Sequence, residues 1–196
     1  MKLYDISQEV FSCAVYPGDP APERKILSAT ASGQLYNLTA FSMCAHNGTH
    51  VDAPFHFLPE GKTIDRMELD IFVGDCFVAR HEGEVTAEAA CVILEKARGA
   101  QRILIAGPVT VTAEAAAVFA GSGIKLLGNE GQSVGPEDAP MEVHKILLKQ
   151  GIALLEGIVL KDVPEGFYFL SAAPLNLAGA DGAPCRAYLI EREGKI

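Results

Sequence analysis

The feature that most narrows the possible fold is a unit that occurs twice: a short apolar run followed by the string Val-Thr-Ala-Glu-Ala-Ala. Cys76-Phe77-Val78-Ala79 precedes the copy at 85–90, and Ile103-Leu104-Ile105-Ala106 precedes the copy at 111–116. A short apolar run leading into an Ala-rich stretch of helical length is the alternation of strand and helix packed as layers. Thr86 and Thr112 suit the N-cap, Glu88 and Glu114 favour the positive end of the helix dipole, and the alanines carry the helix forward. Two copies 26 residues apart are fewer than a solenoid needs, so they read as one strand–helix unit used twice. Gly121 ends the second helix, and Lys125-Leu126-Leu127 begins another strand. Residues 140–150 read as a helix with Val143, Ile146 and Leu147 on its apolar face, and Ile152-Ala153-Leu154-Leu155 as a strand. Phe167–Leu170 and Arg186–Ile190 supply further strands. Residues 1–60, with alternating runs such as Leu35–Phe41 and the turn Tyr16-Pro17-Gly18-Asp19-Pro20, carry a β signature. No linker divides the 196 residues, and the segment 178–184 reads as a turn cluster, so a single domain over 1–196 is expected.

With 49% hydrophobic residues, the chain can bury a sizeable core. A net charge of −9 offers no general attraction to phosphate backbones or anionic lipid, which argues against nucleic acid as a partner. No apolar run reaches the roughly 18 residues of a membrane span, and Met1–Asp5 lacks the start of a signal sequence; a soluble, cytoplasmic protein without a membrane partner is expected. The five cysteines (13, 44, 76, 91 and 185) form an odd set without a C-x-x-C pair and read as reduced, mostly buried residues. A covalent serine mechanism is not expected, and the lack of a glycine-rich phosphate loop disfavours a nucleotide-binding module.

The chemistry lies in His46-Asn47-Gly48-Thr49-His50-Val51-Asp52-Ala53-Pro54-Phe55-His56, where three of the five histidines fall within eleven residues. Gly48 and Pro54 disfavour a helix, and in an extended chain alternate residues face the same way. His46, His50, Asp52 and His56 then share one face, while Val51, Ala53, Phe55 and Phe57 turn to the other. Imidazole and carboxylate together suit zinc, manganese or iron, so this face is a candidate metal site, with Asn47 and Thr49 as supporting hydrogen-bond groups. A solvated strand face normally draws on Lys, Glu, Thr and Ser instead. His81 lies in a polar turn and reads as exposed. His144 sits at the edge of a helical apolar stripe, where an ordinary boundary histidine is an equal alternative. Glu156 ends an apolar run, and residue type alone slightly favours a solvated strand end over an aimed ligand. Cys44 shares parity with His46 but is expected to pack inside.

The string HNGTHVDAPFH resembles the H-x-G-T-H-x-D-x-P-x-H motif of the cyclase or kynurenine-formamidase-like family of metal-dependent hydrolases. The likeness extends from Leu3–Ser7 and Pro17-Gly18-Asp19 to His144–Ile152, Leu154-Leu155-Glu156 and Leu177–Gly182. It implies an α/β, swivelling β/β/α domain with a mixed sheet core flanked by helices, assembled as a homodimer or higher homo-oligomer. It implies His46, His50, Asp52, His144 and Glu156 as ligands of two divalent ions, with Zn2+ first and Mn2+ second, Asp52 bridging, and His56 as catalytic acid or base. Tyr16 stands where relatives often carry Trp, Gly128-Asn129-Glu130 where they carry Gly-Ile-Asp or Gly-Val-Asp, and Thr49 where kynurenine formamidases tend to carry Ala. The expected activity is hydrolysis of an amide or formamide in a small molecule, N-formylkynurenine being one possibility, with Asp19 and Tyr16 as substrate contacts. The rival readings are a cyclic amide or lactone as substrate, and a metal-stabilised binding protein without turnover.

Overall fold

The computed structural model describes residues 1–136 and 138–191. Its first strands are β1 (Lys2–Asp5), β2 (Glu23–Ser28), β3 (Leu38–Ser42) and β4 (His50–Asp52), followed by β5 (Val73–Arg80) and β6 (Gly83–Val85). Helix α1 (Ala87–Ala97), β7 (Arg102–Ala106), β8 (Val109–Val111), α2 (Ala113–Ala120) and β9 (Leu126–Asn129) come next. The remainder is α3 (Met141–Lys149), β10 (Ala153–Glu156), β11 (Gly166–Ser171), β12 (Gly182–Pro184) and β13 (Tyr188–Glu191).

Nine strands form one mixed sheet in the order β1-β13-β11-β5-β7-β9-β10-β4-β12. Its centre, β5-β7-β9-β10, is parallel, and the strands on either side pair antiparallel. The strand–helix units build that centre as expected, because their apolar runs are buried on both faces, the condition that parallel strands require. Phe77, Ala79, Ile103, Ile105, Leu127 and Leu154 face α1, α2 and α3, meeting Ile93, Phe119, Val143 and Leu147. Val78, Leu104, Leu126 and Leu155 face the other way and share a core with Val51, Ala183, Leu170 and Leu189, which come from strands near both edges. For those edges to meet, the sheet must curl. The chain shows the same thing directly: β12 and β13 lie near opposite ends of the strand order, yet only residues 185–187 separate them. The α/β class, mixed sheet and flanking helices agree with expectation, all three α-helices lying on one face.

Both helix starts follow the capping logic of the repeated string. Thr86 and Thr112 are the N-caps, accepting hydrogen bonds from the backbone N–H groups of Ala89 and Ala115. The valine that opens each copy does something the composition did not suggest. Val85 and Val111 end β6 and β8, which pair with each other in parallel, so the two copies meet in register.

The N-terminal third departs more from expectation. Strands β2 and β3 form a separate two-stranded hairpin, and the alternating run 35–41 buries neither of its faces: Leu35 is 96% exposed and Phe41 57%. All five cysteines are free, but only Cys76 is fully enclosed; Cys91 is exposed and Cys13, Cys44 and Cys185 are half-buried, so the expectation of mostly buried thiols is corrected. Surface loops rather than core strands carry most of them.

Removing the α2 cap by Thr112→Ala should lower stability by about 0.5–2 kcal/mol. Urea unfolding is expected to show an earlier midpoint with an unchanged slope; an unaltered midpoint would show that the cap bond does not stabilise the helix.

Candidate metal centre

Strand β4 carries the middle of the histidine motif and lies between β10 and β12. Register does the aiming. His50 and Asp52 alternate onto the helical side, while Val51 between them is buried in the opposite core. Antiparallel pairing sets Glu156 directly across from His50, so both project to the same side. Glu156 is also the last residue of β10, placing it at the carboxyl end of the parallel strands, where open α/β sheets commonly form their sites. Helix α3 brings His144 over the same spot. Opposite Asp52 on the other flank stands Gly182, and a Cβ there would lie 2.7 Å from His46 Cε1. Only glycine leaves room for that imidazole.

The single extended ribbon expected for 46–56 holds only for His50 and Asp52. His46 sits in a turn closed by the Asn47 N–H to the Cys44 carbonyl, 3.2 Å, and by the Cys44 N–H to Asn47 Oδ1, 2.8 Å. His56 ends the 3-10 turn Pro54–His56. All four side chains nonetheless converge, because the turns at both ends fold the chain back towards β4. Phe57 joins them: its ring lies 4.5 Å from that of His56 and 4.7 Å from that of His144, which corrects its assignment to the opposite face.

The imidazoles are held by their outward nitrogens. His50 Nδ1 lies 2.9 Å from the Gly48 carbonyl oxygen and His144 Nδ1 2.8 Å from that of Pro140, both donating, which leaves the two Nε2 atoms facing inward. His50 Nε2 is 3.4 Å from both Asp52 Oδ1 and Glu156 Oε2; His144 Nε2 is 3.2 Å from Glu156 Oε1 and 3.5 Å from Asp52 Oδ2. His46 places Nδ1 2.8 Å from Asp52 Oδ1. Glu156 Oε1 also accepts from the Val134 N–H at 2.8 Å. The solvated strand end favoured by residue type is therefore corrected: Glu156 is 2% exposed, because β10 terminates beneath α3 and the segment carrying Val134.

Burial opposes charge on these groups, and their mutual contacts overcome it. For His50 and His144, desolvation lowers the pKa, but hydrogen bonds and charges from Asp52 and Glu156 outweigh it and raise both to about 10. His46 is raised as well, its burial outweighed by Asp52 and Asp181. Burial pushes Asp52 up, whereas His144, His46 and His50 hold it well below the usual carboxylate range. The carboxylates beside them thus favour the protonated form of these imidazoles.

A cavity of about 400 Å3 opens on the cluster, lined by Tyr16, Asp19, Cys44, His46, His50, His56, Phe57, Gln132, Ser133, Pro140, His144, Glu156 and Asp181. Tyr16 and Asp19 thus reach the site, and Cys44, with Sγ 3.7 Å from Asp19 Oδ2, lines the cavity instead of packing inside. Other candidates serve the scaffold. Thr49 Oγ1 donates to the Gly157 carbonyl at 2.7 Å, and Glu130 accepts from the N–H groups of Gly107 and Leu160 at 2.7 Å each. His81 lies outside the cavity, half-buried, with Nε2 bonded to the Glu84 carbonyl at 2.9 Å. Two groups were missed from sequence. Gln132 and Ser133 stand in Gly131-Gln132-Ser133-Val134-Gly135, a G-x-S-x-G string that is not a tight strand-to-helix elbow because α3 begins only at Met141, and Asp181 falls within a Gly- and Pro-containing segment that reads as a turn. The signal for Asp181 was present only as a polar residue inside the closing Leu177–Gly182 stretch of the resemblance.

The residues fit divalent metal. Two ligand groups, His46/Asp52/His56 and His50/Asp52/Glu156, each bring their donor atoms within 4.8 Å of one another and share Asp52. Among the described residues, Asp52 Oδ2 is buried with no hydrogen bond and only the 3.5 Å ion contact to His144 Nε2, a costly state for a carboxylate oxygen that a cation would relieve.

Comparison with known proteins agrees. A family described as "Putative cyclase" matches residues 4–103. The chain is 34% identical to a kynurenine formamidase of Erythrobacter litoralis, over 97% of this chain and 94% of that protein. It is 36% identical to a kynurenine formamidase of Paracidovorax citrulli, over 95% of each. A solved structure described as a potential metal-dependent hydrolase with cyclase activity superimposes with a TM-score of 0.83 at 29% identity, covering 98% of this chain and 99% of that one. An isatin hydrolase of Labrenzia aggregata shares the fold, with a TM-score of 0.82 at 20% identity over 97% of this chain and 94% of that one. A histidine motif carried on β4, partners delivered by α3 and β10, and likeness along nearly the whole length converge on one assignment: the chain belongs to the cyclase family and is related to kynurenine formamidases.

Proposed function

We propose that this protein is a metal-dependent hydrolase that cleaves an aryl formamide of the N-formylkynurenine type, using two divalent cations, zinc first and manganese second. The observation that carries the reading is the meeting of three imidazoles and two carboxylates around the buried Asp52, whose Oδ2 makes no hydrogen bond and only a 3.5 Å ion contact to His144. His46 through Nδ1, His50 and His144 through Nε2, and Asp52 and Glu156 through their carboxylates would hold the ions, with Asp52 shared. Divalent metal in such a site supplies Lewis acidity, lowering the pKa of water towards 7 and polarising a carbonyl. His56, 27% exposed at the cavity wall, moves the proton: it accepts one from the attacking water and returns it to the amine nitrogen as the C–N bond breaks. Formamide and water thereby leave as amine and formic acid, which ionises to formate and releases one proton to solvent, with no net change of protons on the enzyme. Tyr16 and Phe57 offer aromatic surface for the aryl ring, and Asp19 a polar contact beside it.

Purified protein is expected to contain about two divalent ions per chain and to hydrolyse N-formylkynurenine. His56→Ala should retain metal and fold while losing roughly 100- to 10,000-fold in kcat. Unchanged turnover in that variant would remove His56 from the mechanism. Metal without any turnover would favour the binding-protein reading, and turnover of isatin but not of formamides would move the substrate to cyclic amides.

The pKa shifts predict a second behaviour. His50 and His144, raised from 6.5 to about 10, stabilise the metal-free fold fully below pH 6.5, and that contribution is lost as pH rises towards 10. Thermal melts of chelator-treated protein should therefore show Tm falling between pH 6.5 and 10. Metal ligation needs neutral imidazole, so zinc uptake at pH 7 should release protons. Titration calorimetry in buffers of different ionisation enthalpy reads that release, and its absence would contradict Nε2 ligation.

A homodimer or higher homo-oligomer belongs to the same reading. Its support is the β2–β3 hairpin, which exposes Ile26, Leu27, Leu35, Tyr36, Leu38 and Phe41, more apolar surface than a lone two-stranded ribbon usually sustains. Sedimentation velocity is expected to give a mass at least twice the 20.8 kDa of one chain.

A further inference from the structure

Asp181 occupies a position that the hydrolase reading leaves without a role. Its backbone is fixed: the carbonyl accepts from the Ala53 N–H at 2.9 Å, and the next residue, Gly182, begins β12 opposite Asp52. Its side chain is aimed. A single oxygen, Oδ2, lies 2.9 Å from His46 Nε2 and 3.1 Å from His56 Nδ1, while the two imidazoles stack with ring centres 4.0 Å apart. A carboxylate oxygen only accepts, so both nitrogens bear the hydrogen. His46 Nδ1 faces a carboxylate oxygen as well, Asp52 Oδ1 at 2.8 Å, so with Nε2–H held by Asp181 it is Nδ1 that is left to face a cation beside Asp52. For His56 it leaves Nε2 as the lone-pair nitrogen, the atom that can take a proton from water.

We propose that Asp181 is a positioning residue that fixes the tautomers of His46 and His56 through one shared oxygen, tying metal ligation to proton transfer. The proposal rests on the hydrolase reading for its kinetic consequence but not for its structural one. A carboxylate behind a metal-bound histidine orients the ring, and its loss typically costs 10- to 100-fold in affinity or activity. A carboxylate behind a general-base histidine holds the productive tautomer. Here one side chain does both. A change at Asp181 should therefore reach the metal and the proton transfer together.

The test uses full-length protein. Asp181→Asn, assayed with saturating zinc on N-formylkynurenine, is expected to lose about 10- to 100-fold in kcat with KM within about twofold, and to bind zinc about tenfold more weakly in chelator competition. Asp181→Glu should recover part of both. In a His56→Ala background, adding Asp181→Asn should cost less than about twofold in residual kcat, since the two residues act as one unit. Nitrogen-15 spectra of His56 should show the Nδ1–H tautomer in the parent and a mixture in Asp181→Asn. The proposal is overturned if Asp181→Asn keeps kcat and zinc affinity within twofold of the parent, if its cost is the same with and without His56, or if the His56 tautomer does not change. Should the parent hydrolyse no formamide, the hydrolase reading fails by itself; the tautomer and the zinc competition still decide the role of Asp181.

Discussion

Everything at this centre depends on the burial of one carboxylate. Asp52 is 1% exposed and lies among three imidazoles, with Glu156 close by at 2%. Removing such a charge from water costs several kcal/mol unless opposite charge accompanies it. The neighbourhood is arranged around that requirement. His50 and His144 spend their outer nitrogens on backbone carbonyls and keep the inner ones for the carboxylates. Protonation can satisfy the demand, and a divalent ion held by the same atoms would satisfy it instead. A nitrogen cannot carry both, so proton and metal binding at these imidazoles would oppose each other.

The sheet makes this cluster possible by joining distant parts of the chain. Strand β4 has β10 on one side and β12 on the other, so residues near 52, 154 and 182 become neighbours. Curling lets one core serve strands from both edges, and it leaves the opposite face to the three α-helices. His144 arrives from that helical layer. Close approach is bought with glycine: Gly182 clears His46, and at Gly157 a side chain would collide with the Gly48 carbonyl, in a backbone of φ +65° that already favours glycine.

How much of this could be read in residues alone follows from the range of each signal. The caps at Thr86 and Thr112 are local, and they stand where the string places them. The His50–Asp52 alternation is local too. The rest of the motif reached the same cavity by a different route, because turns at 44–49 and 54–56 replaced the straight ribbon. Glu156 depended on a pairing between residues a hundred apart, and composition near a strand end pointed the wrong way. The resemblance supplied that partner; periodicity could not. Asp181 was hidden for a related reason: a polar residue among glycines looks like turn chemistry until the sheet brings it against two histidines. The hairpin failed differently, since alternation marks a strand without saying whether either face will be covered.

The short crossing at 185–187 has one more consequence. Strand β13 lies beside β1 at one rim of the sheet, and β12, three residues earlier, closes over β4 at the other. As the chain emerges from the ribosome, every atom assigned to metal is already synthesised by residue 156. The wall behind β4, and the carboxylate that orients His46 and His56, arrive only with residues 181–184. A nascent chain therefore carries the whole proposed ligand set before it has the scaffold that fixes their directions.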